Sequence, residues 1–432
     1  MQVQKNYFQA MAQHWRNILL SLSAATLLFA ACSKKYSTDN PLPATYSPSI
    51  IINSDNQILY ALDVTTGKKH WQVSFSYLPN IPNTHYKPSP LLYNGMLYIV
   101  ANNSDTLYKI NSETGAIVQT ITNGNGDSYS SIATPVTDGN MIYLACLNGN
   151  IYAMDFSGNL KWQYSGGSSF ESSPTIYKGQ IYAATTGGHV FSIDKVNGPD
   201  PNTGLPTWDY PHNGVGAPPN GKFVSSITIG DPYLYVGSIS DSNMYCLYLV
   251  PPPTDPNGPD SSVYGRCRWT YKTNGLIYSS PAAYGGYCIF GSSDYYVYCL
   301  DTSIEPRDPI SPTFTPRPYW KILTGSQVLS SPLAYNQIVY IGSNDQNLYA
   351  INQINGSIKW TFHTNGLIKS SPVAYGKSIF IGSYDKNLYA VDSATGTVKW
   401  TTSTNGNIEC SPVVDNLTAL FGFNSQVSGL TN

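Results

Sequence analysis

The sequence predicts an all-β fold: an eight-bladed β-propeller of four-stranded antiparallel blades, closed into a ring by its N- and C-terminal strands. Three observations predict it. Residues 330–360 and 370–400 are near copies, about 40 residues apart, a period typical of stacked repeats. The pattern recurs eight times, and a tryptophan ends most copies. Segments rich in β-branched and aromatic residues alternate with turn residues, whereas helix signals are nearly absent after the N-terminal segment.

Each copy carries the same sequence markers. A strand motif of an apolar, an aromatic and usually a small residue begins at positions 59, 107, 151, 190, 244, 297, 348 and 388. Two residues after the small position, seven copies have an acid or an amide, whereas the fifth has Tyr248. The seven residues are Asp63, Asn111, Asp155, Asp194, Asp301, Asn352 and Asp392. Every copy except the second ends in a tryptophan: Trp71, Trp162, Trp208, Trp269, Trp320, Trp360 and Trp400.

Each copy divides into four short strands, in the seventh copy SPLAYN, QIVYIG, NLYAIN and SIKWTF. A single unit cannot bury both faces of its sheet, so blades must pack on their neighbours and the last blade must meet the first. The first copy lacks the SSP strand of later copies, and residues 411–414 of the C-terminal tail supply it. The following segment ALFGF, 419–423, is an alternative that competes with or extends the strand at 50–52.

Two copies carry a family resemblance. ALDVTTGKKHW and AVDSATGTVKW match the pattern A-x-D-x-x-T-G-x-x-x-W through Asp63, Gly67, Trp71, Asp392, Gly396 and Trp400. This resembles the tryptophan-docking motif of pyrroloquinoline-quinone-like propellers, a family that includes quinoprotein alcohol dehydrogenases and the outer-membrane β-barrel assembly lipoprotein. The Thr-Gly turn reverses the chain and the tryptophan can pack on the neighbouring blade, so the motif predicts architecture and not catalysis.

The N-terminal segment predicts export and anchoring. Residues 1–31 combine basic residues with an apolar run that ends in small residues, as a secretory signal does. LFAAC resembles the bacterial lipobox, which implies lipidation at Cys32; a plain secretory signal is the alternative. Residues 32–47 are expected to form a flexible tether to the propeller at 48–432. Ser33, by resemblance to the enterobacterial sorting rule, favours the outer membrane and leaves the leaflet open.

Composition and motifs argue against nucleic-acid binding and catalysis. Charged residues are only 11% of the chain and the net charge is −2, so no basic surface is available to neutralise phosphates. No nucleophile elbow, phosphate loop or metal-ligand spacing appears. A quinoprotein dehydrogenase would need a quinone site, calcium, a catalytic aspartate and often adjacent cysteines, and this chain has no Cys-Cys pair. DPNTG at 200–204 is interpreted as a turn rather than a calcium loop.

Six cysteines remain besides Cys32. Cys246 and Cys299 occupy the small-residue position of the strand motif, which favours a packing role. Cys288 and Cys299 lie on successive strands of one hairpin and could face each other in a disulfide. Packing is the favoured interpretation.

Departures from the repeat mark candidate interaction sites. Three consecutive blades carry long connections between their third and fourth strands, near 195–207, 250–266 and 302–319. The third contains Arg307, Phe314, Arg317 and Tyr319, a composition favoured at protein interfaces. Drift in tolerant surface loops is the alternative. A second candidate is the central channel, lined by serines of the SSP-type strands: Ser173, Ser226, Ser280, Ser331 and Ser371.

The sequence therefore predicts a monomeric, non-enzymatic envelope lipoprotein without cofactor or metal, which binds envelope proteins as an assembly scaffold. A glycan-binding or small-molecule-binding surface protein and a quinone-dependent dehydrogenase are the alternatives.

Overall fold

The structure, a computed structural model, describes residues 48–75, 88–100, 106–122, 129, 131–211, 221–249, 267–303 and 316–415. These residues form strands and turns and contain no helix, so none of them forms a helix that could cross a membrane. The predicted signal peptide and tether, with Cys32, lie outside the described residues, as do Arg307 and Phe314.

Eight four-stranded antiparallel sheets form the blades, and each blade runs from an innermost to an outermost strand. From the inside outwards, blade one combines the last strand of the chain with the first three: β32 (Val413–Asp415), β1 (Ser49–Asn53), β2 (Ile58–Asp63) and β3 (Lys69–Ser74). Blades two to four follow in chain order: β4 (Leu91–Tyr93), β5 (Met96–Val100), β6 (Thr106–Asn111), β7 (Ile117–Thr122); β8 (Val136–Thr137), β9 (Met141–Ala145), β10 (Asn150–Asp155), β11 (Leu160–Ser165); β12 (Thr175–Tyr177), β13 (Gln180–Ala184), β14 (Val190–Asp194), β15 (Trp208–Tyr210).

Blades five to eight repeat this order. Their strands are β16 (Thr228–Gly230), β17 (Tyr233–Gly237), β18 (Asn243–Tyr248), β19 (Cys267–Lys272); β20 (Ala282–Tyr284), β21 (Tyr287–Gly291), β22 (Tyr296–Asp301), β23 (Pro318–Leu323); β24 (Leu333–Tyr335), β25 (Ile338–Gly342), β26 (Asn347–Asn352), β27 (Ile358–His363); β28 (Val373–Tyr375), β29 (Ser378–Gly382), β30 (Asn387–Asp392), β31 (Val398–Ser403). The eight-bladed propeller predicted from the sequence is confirmed.

The ring closes through blade one, as predicted. Strand β32 pairs with β1, and Asp415, Val414 and Val413 lie opposite Ser49, Ile50 and Ile51. The sequence predicts that residues 411–414 supply this strand, and the pairing confirms that the C-terminal tail provides it. The alternative segment at 419–423 lies outside the described residues.

The hydrophobic core is divided among the junctions between blades. The described residues form eight apolar clusters, and each cluster draws on two adjacent blades. Alternate residues of one strand serve opposite junctions, because successive side chains in a strand point to opposite faces. Ile50 and Ile52 face blade eight, whereas Ile51 faces blade two. Both faces of each sheet are therefore buried only in the closed ring.

Candidate functional site

A tryptophan at the end of one blade docks on a glycine of the next. At the junction of blades seven and eight, a Cβ placed on Gly396 would lie 2.7 Å from Cδ2 of Trp360. The indole N–H of Trp360 donates to the carbonyl of Ser393 over 3.2 Å. Gly396 has a φ of +75°, which glycine adopts without strain. A residue without a side chain is therefore required beneath the indole.

The same contact occurs at five junctions. In each, the indole N–H donates over 2.9–3.2 Å to the carbonyl of the residue after the acid or amide of the motif. The pairs are Trp71 with Gly115, Trp162 with Gly198, Trp320 with Gly356, Trp360 with Gly396 and Trp400 with Gly67. In blade two, which lacks a tryptophan, Ile121 packs on Gly158 instead.

The acid of the motif holds the turn that presents the glycine. Asp392 Oδ1 accepts the backbone N–H groups of Ala394 and Thr395 over 3.0 and 3.1 Å. Burial would raise the pKa of Asp392, but these N–H groups and the Lys399 ammonium, 3.2 Å away, outweigh it and lower that pKa. Asp63 makes the equivalent turn, and the indole of Trp400 donates to Val64 in it, so the last blade docks on the first. The motif residues thus hold the ring together.

The two ends of the ring carry different connections. Because strands within a blade are antiparallel, the connection between the third and fourth strands lies at the same end as the hairpin between the first and second. We call this the insertion end, since the three long connections start and finish there. The segments that lead into each innermost strand lie at the opposite end, which we call the serine end.

The first long connection, 195–207, is fully described. It starts with the docking turn of blade four, whose Gly198 carries Trp162. A second turn follows in the DPNTG segment, where Asp200 Oδ1 accepts the N–H groups of Asn202 and Thr203. These two hydrogen bonds lower the pKa of Asp200. The segment is a turn, the interpretation that the sequence favours over a calcium loop.

The other two long connections are described at their anchors. The second leaves the described residues after Leu249 and returns at Cys267, and the third leaves them after Ser303 and returns at Pro316. Arg317 is exposed at its end. Tyr319, expected in this loop, lies instead in the outer strand β23, where it is 47% exposed and its ring packs 4.8 Å from that of Tyr287. The strand begins at Pro318 opposite Leu300, because an edge strand tolerates a proline that has no N–H.

The SSP serines form hydrogen bonds within and between blades. The first serine accepts an N–H from its own blade, as Ser279 Oγ does from Gly291 over 3.0 Å. The second accepts an N–H from the preceding blade, as Ser331 Oγ does from Ser280 over 2.9 Å. This bond between blades recurs from Thr134 to Ser173, Ser173 to Ser226, Ser226 to Ser280 and Ser331 to Ser371. The channel serines therefore connect consecutive inner strands.

A cavity of about 90 Å³ opens at the serine end. The second serines line it together with the residues that precede the SSP-type segments, among them Tyr278, Leu329 and three charged residues. Lys369 Nζ lies 3.5 Å from Glu409 Oε1 and donates to Tyr384 Oη over 2.7 Å. Burial raises the pKa of Glu171, and Lys222 partly offsets this rise.

Sequence reasoning identifies the channel serines but misses Glu171, Lys369 and Glu409. Each of the three stands three residues before the proline of its copy, so aligning the copies on SSP places them at one level of the channel. The residue type at this position differs from blade to blade. A search for the residues that recur in every copy therefore passes over it.

The cysteines do not pair. Cys288 lies opposite Leu300, and Cys299 lies opposite Ile289, so the two sulfur atoms point to opposite faces of the sheet. The hairpin disulfide considered from the sequence is therefore wrong. The six cysteines in the described part of the chain are free, and burial raises their pKa values, to about 12 for Cys267 and Cys410. Protonated thiols, five of them buried and that of Cys267 partly buried, act here as packing groups.

At the serine end, the described residues do not group the donors that a calcium-dependent quinone would need. Among the described residues, no three His, Cys, Asp or Glu side chains are grouped to hold a metal ion. At the cavity, Glu409 is engaged by Lys369, and serine and aliphatic side chains make up most of the remaining lining. These residues do not fit such a group.

Solved structures share the fold at low sequence identity. BamB from Moraxella catarrhalis has a TM-score of 0.56 and 16% identity, over 80% of this chain and 91% of that one. The quinohemoprotein alcohol dehydrogenase from Comamonas testosteroni has a TM-score of 0.54 and 12% identity, over 76% and 68%. The computationally designed Ika8 protein has a TM-score of 0.58 and 12% identity, over 74% and 88%. These likenesses show the fold alone.

Sequence comparison shows the family. No curated protein matches the chain. A family model described as outer membrane protein assembly factor BamB matches residues 14–165, 120–238 and 313–427, which together cover well over half of the chain. With the docking motif and the eight blades, this match leads to one conclusion: the chain belongs to the BamB-like family of pyrroloquinoline-quinone-like β-propellers.

Proposed function

We propose that this propeller is a non-enzymatic scaffold of the bacterial envelope that binds protein partners through its insertion end. One observation supports it most: blades four, five and six, which are consecutive, all extend the connection that emerges at this end. In the other five blades the same connection is only four or five residues long, so the extensions are not needed to build a blade. The family description, outer membrane protein assembly factor, agrees with a scaffold role.

Replacing the three connections tests this proposal. Residues 199–206 would be deleted, which keeps the docking turn of blade four, and the other two connections would be replaced by the SATG turn of blade eight. We expect the protein copurified from native envelopes to be lost, while the melting temperature changes by only a few degrees. The replacements leave the described blade strands unchanged, and surface loops tolerate such changes. If mass spectrometry identifies the same partners after the replacement, the proposal that they bind through the insertion end is rejected.

The cavity at the serine end supports a second candidate function, binding of a small polar molecule or glycan. Glu171→Gln is its probe, because Glu171 lines the cavity and the change removes the charge while it keeps the shape of the side chain. Bulky replacements of Ser280 or Ser331 are unsuitable, since their hydroxyl groups accept hydrogen bonds between blades. Loss of a small-molecule or glycan ligand in Glu171→Gln, with protein partners retained after loop replacement, would favour this function.

We further propose that Cys32 anchors the ring to the membrane. Cys32→Ser should prevent acylation and move the protein from the membrane fraction to the soluble fraction, because acyl chains would no longer hold it in the bilayer. Cell fractionation with immunoblotting measures this, and the wild-type chain is the control. A variant that stays with the membrane after a high-salt wash would contradict the anchor.

A further inference from the structure

One turn at the insertion end repeats the docking geometry, and no tryptophan of the described residues docks on it. This turn, residues 200–205, belongs to the first long connection and contains the DPNTG segment. Its backbone matches the turn at 392–397, on which Trp360 docks. Asp200 Oδ1 accepts two N–H groups over 2.8 and 3.0 Å, and Asp392 Oδ1 accepts two over 3.0 and 3.1 Å.

The hydrogen bonds that close the two turns also correspond. The N–H of Gly204 donates to the carbonyl of Asp200 over 2.7 Å, and that of Asp200 donates to Leu205 over 2.8 Å. In the occupied turn, Gly396 donates to Asp392 over 2.9 Å, and Asp392 donates to Thr397 over 2.8 Å. The φ values of the two glycines are +70° and +75°. The second turn of blade four is therefore a complete docking turn.

The surface of this turn is open. A Cβ on Gly204 would meet no atom of the described residues within 4 Å, and Gly204 is exposed, whereas Gly198 in the preceding turn is buried beneath Trp162. The junction between blades three and four is thus already served by 194–198. The additional turn is not needed to join these blades.

The spacing of the turn indicates which side chain fits it. In all five turns that hold a tryptophan, the glycine is four positions after the acid or amide. Gly204 follows Asp200 at the same spacing. The turn that holds Ile121 is one residue shorter, from Asp155 to Gly158. In the longer turn, the carbonyl of the residue after the acid or amide accepts the indole N–H. In the open turn that residue is Pro201, which is exposed.

An apolar residue beside the glycine adds to the docking surface. Leu205 follows Gly204 and is 61% exposed. The five occupied turns have small or polar residues or proline at this position: Lys68, Ala116, Pro199, Ser357 and Thr397. The leucine side chain would gain free energy by packing against an indole, because both surfaces would leave water.

We propose that the turn at 200–205 docks a tryptophan side chain presented by an extended segment of a partner protein. The indole packs over Gly204 and against Leu205, and its N–H donates to the carbonyl of Pro201. This site deepens the proposed scaffold role of the insertion end and rests on it. It specifies the partner chemistry: an exposed tryptophan on a strand-like segment, as the chain's own outer strands present one.

A peptide probe tests the site without the native partner. The probe is the chain's own segment TGTVKWTTS, 395–403, with 5-fluorotryptophan in place of its tryptophan. We expect its ¹⁹F resonance to shift and broaden on titration with the full chain in detergent. Gly204→Asn should weaken binding at least tenfold, because asparagine tolerates positive φ while its side chain occupies the indole position. A probe with fluorophenylalanine should bind about fivefold more weakly, since it lacks the N–H donor.

Gly376→Asn is the matched control. Gly376 lies in a hairpin at the same end, with a φ of +57°, and a Cβ placed on it would meet no atom within 4 Å, so its replacement should leave binding unchanged. Absence of a ¹⁹F change in millimolar mixtures of protein and peptide, or equal binding by Gly204→Asn, would overturn the site. Such a result would leave the scaffold proposal standing if loop replacement still removed the native partner, so the two failures are distinguishable.

Discussion

Removing residues 410–432 should abolish soluble, folded monomer. The deletion takes away β32, which pairs with β1 and completes blade one. Ile50, Ile51 and Ile52, all fully buried, would lose part of their cover, and β1 would become an unpaired edge that favours aggregation. The contact of the Cys410 thiol with the carbonyl of Asn53, 2.9 Å long, would be lost as well. Size-exclusion chromatography and thermal melting by circular dichroism measure the outcome.

A shorter deletion is the control. Removing residues 416–432 leaves every described contact of β32 in place, and we expect a monomer that melts cooperatively. This pair of variants also separates the two strands that the sequence offers for closure, 411–414 and 419–423. A cooperatively melting monomer without residues 410–432 would show that the closing strand is dispensable.

The fold could be predicted from the sequence because each blade repeats the same local sequence pattern. Strand, turn and tryptophan recur at similar spacing. A unit of four strands cannot bury both faces of its sheet alone, so the eight units pack on one another in a closed ring. Closure was also predictable, since the first copy lacks the strand that the tail supplies. The position of Tyr319 was not, because Pro318 resembles a loop residue and only the pairing with Leu300 shows that the outer strand has begun.

The candidate sites were less predictable because they depend on which side chains meet across blades. Whether Cys288 and Cys299 face each other depends on the strand register. A shift of one residue moves a side chain to the opposite face of the sheet. The serines look like small residues near a crowded axis, but the structure shows that they accept N–H groups from the preceding blade. The open turn at 200–205 was visible only as turn-forming residues, since open space above a glycine is a property of packing.

Alanine at Gly396 should cost far more stability than alanine at Gly204. Both glycines have nearly the same φ, +75° and +70°, so the backbone strain of about 1–2 kcal/mol is shared. At Gly396 the added carbon would lie 2.7 Å from Cδ2 of Trp360, which must move and weaken its bond to Ser393. Overpacking and the impaired hydrogen bond should add about 2–4 kcal/mol. At Gly204 the added carbon would meet no atom of the described residues within 4 Å, so only the backbone strain remains.

Chemical denaturation of both variants measures the difference, and tryptophan replacement identifies its origin. If the indole causes the loss, Gly396→Ala should cost little more than Gly204→Ala once Trp360→Ala is present, because contacting residues are not additive. Gly204→Ala combined with Trp360→Ala should instead be additive, since the two positions serve different turns. Equal costs at Gly396 and Gly204 in the wild-type background would mean that the indole yields to the added carbon without loss, and tryptophan docking would then contribute little to the stability of the ring.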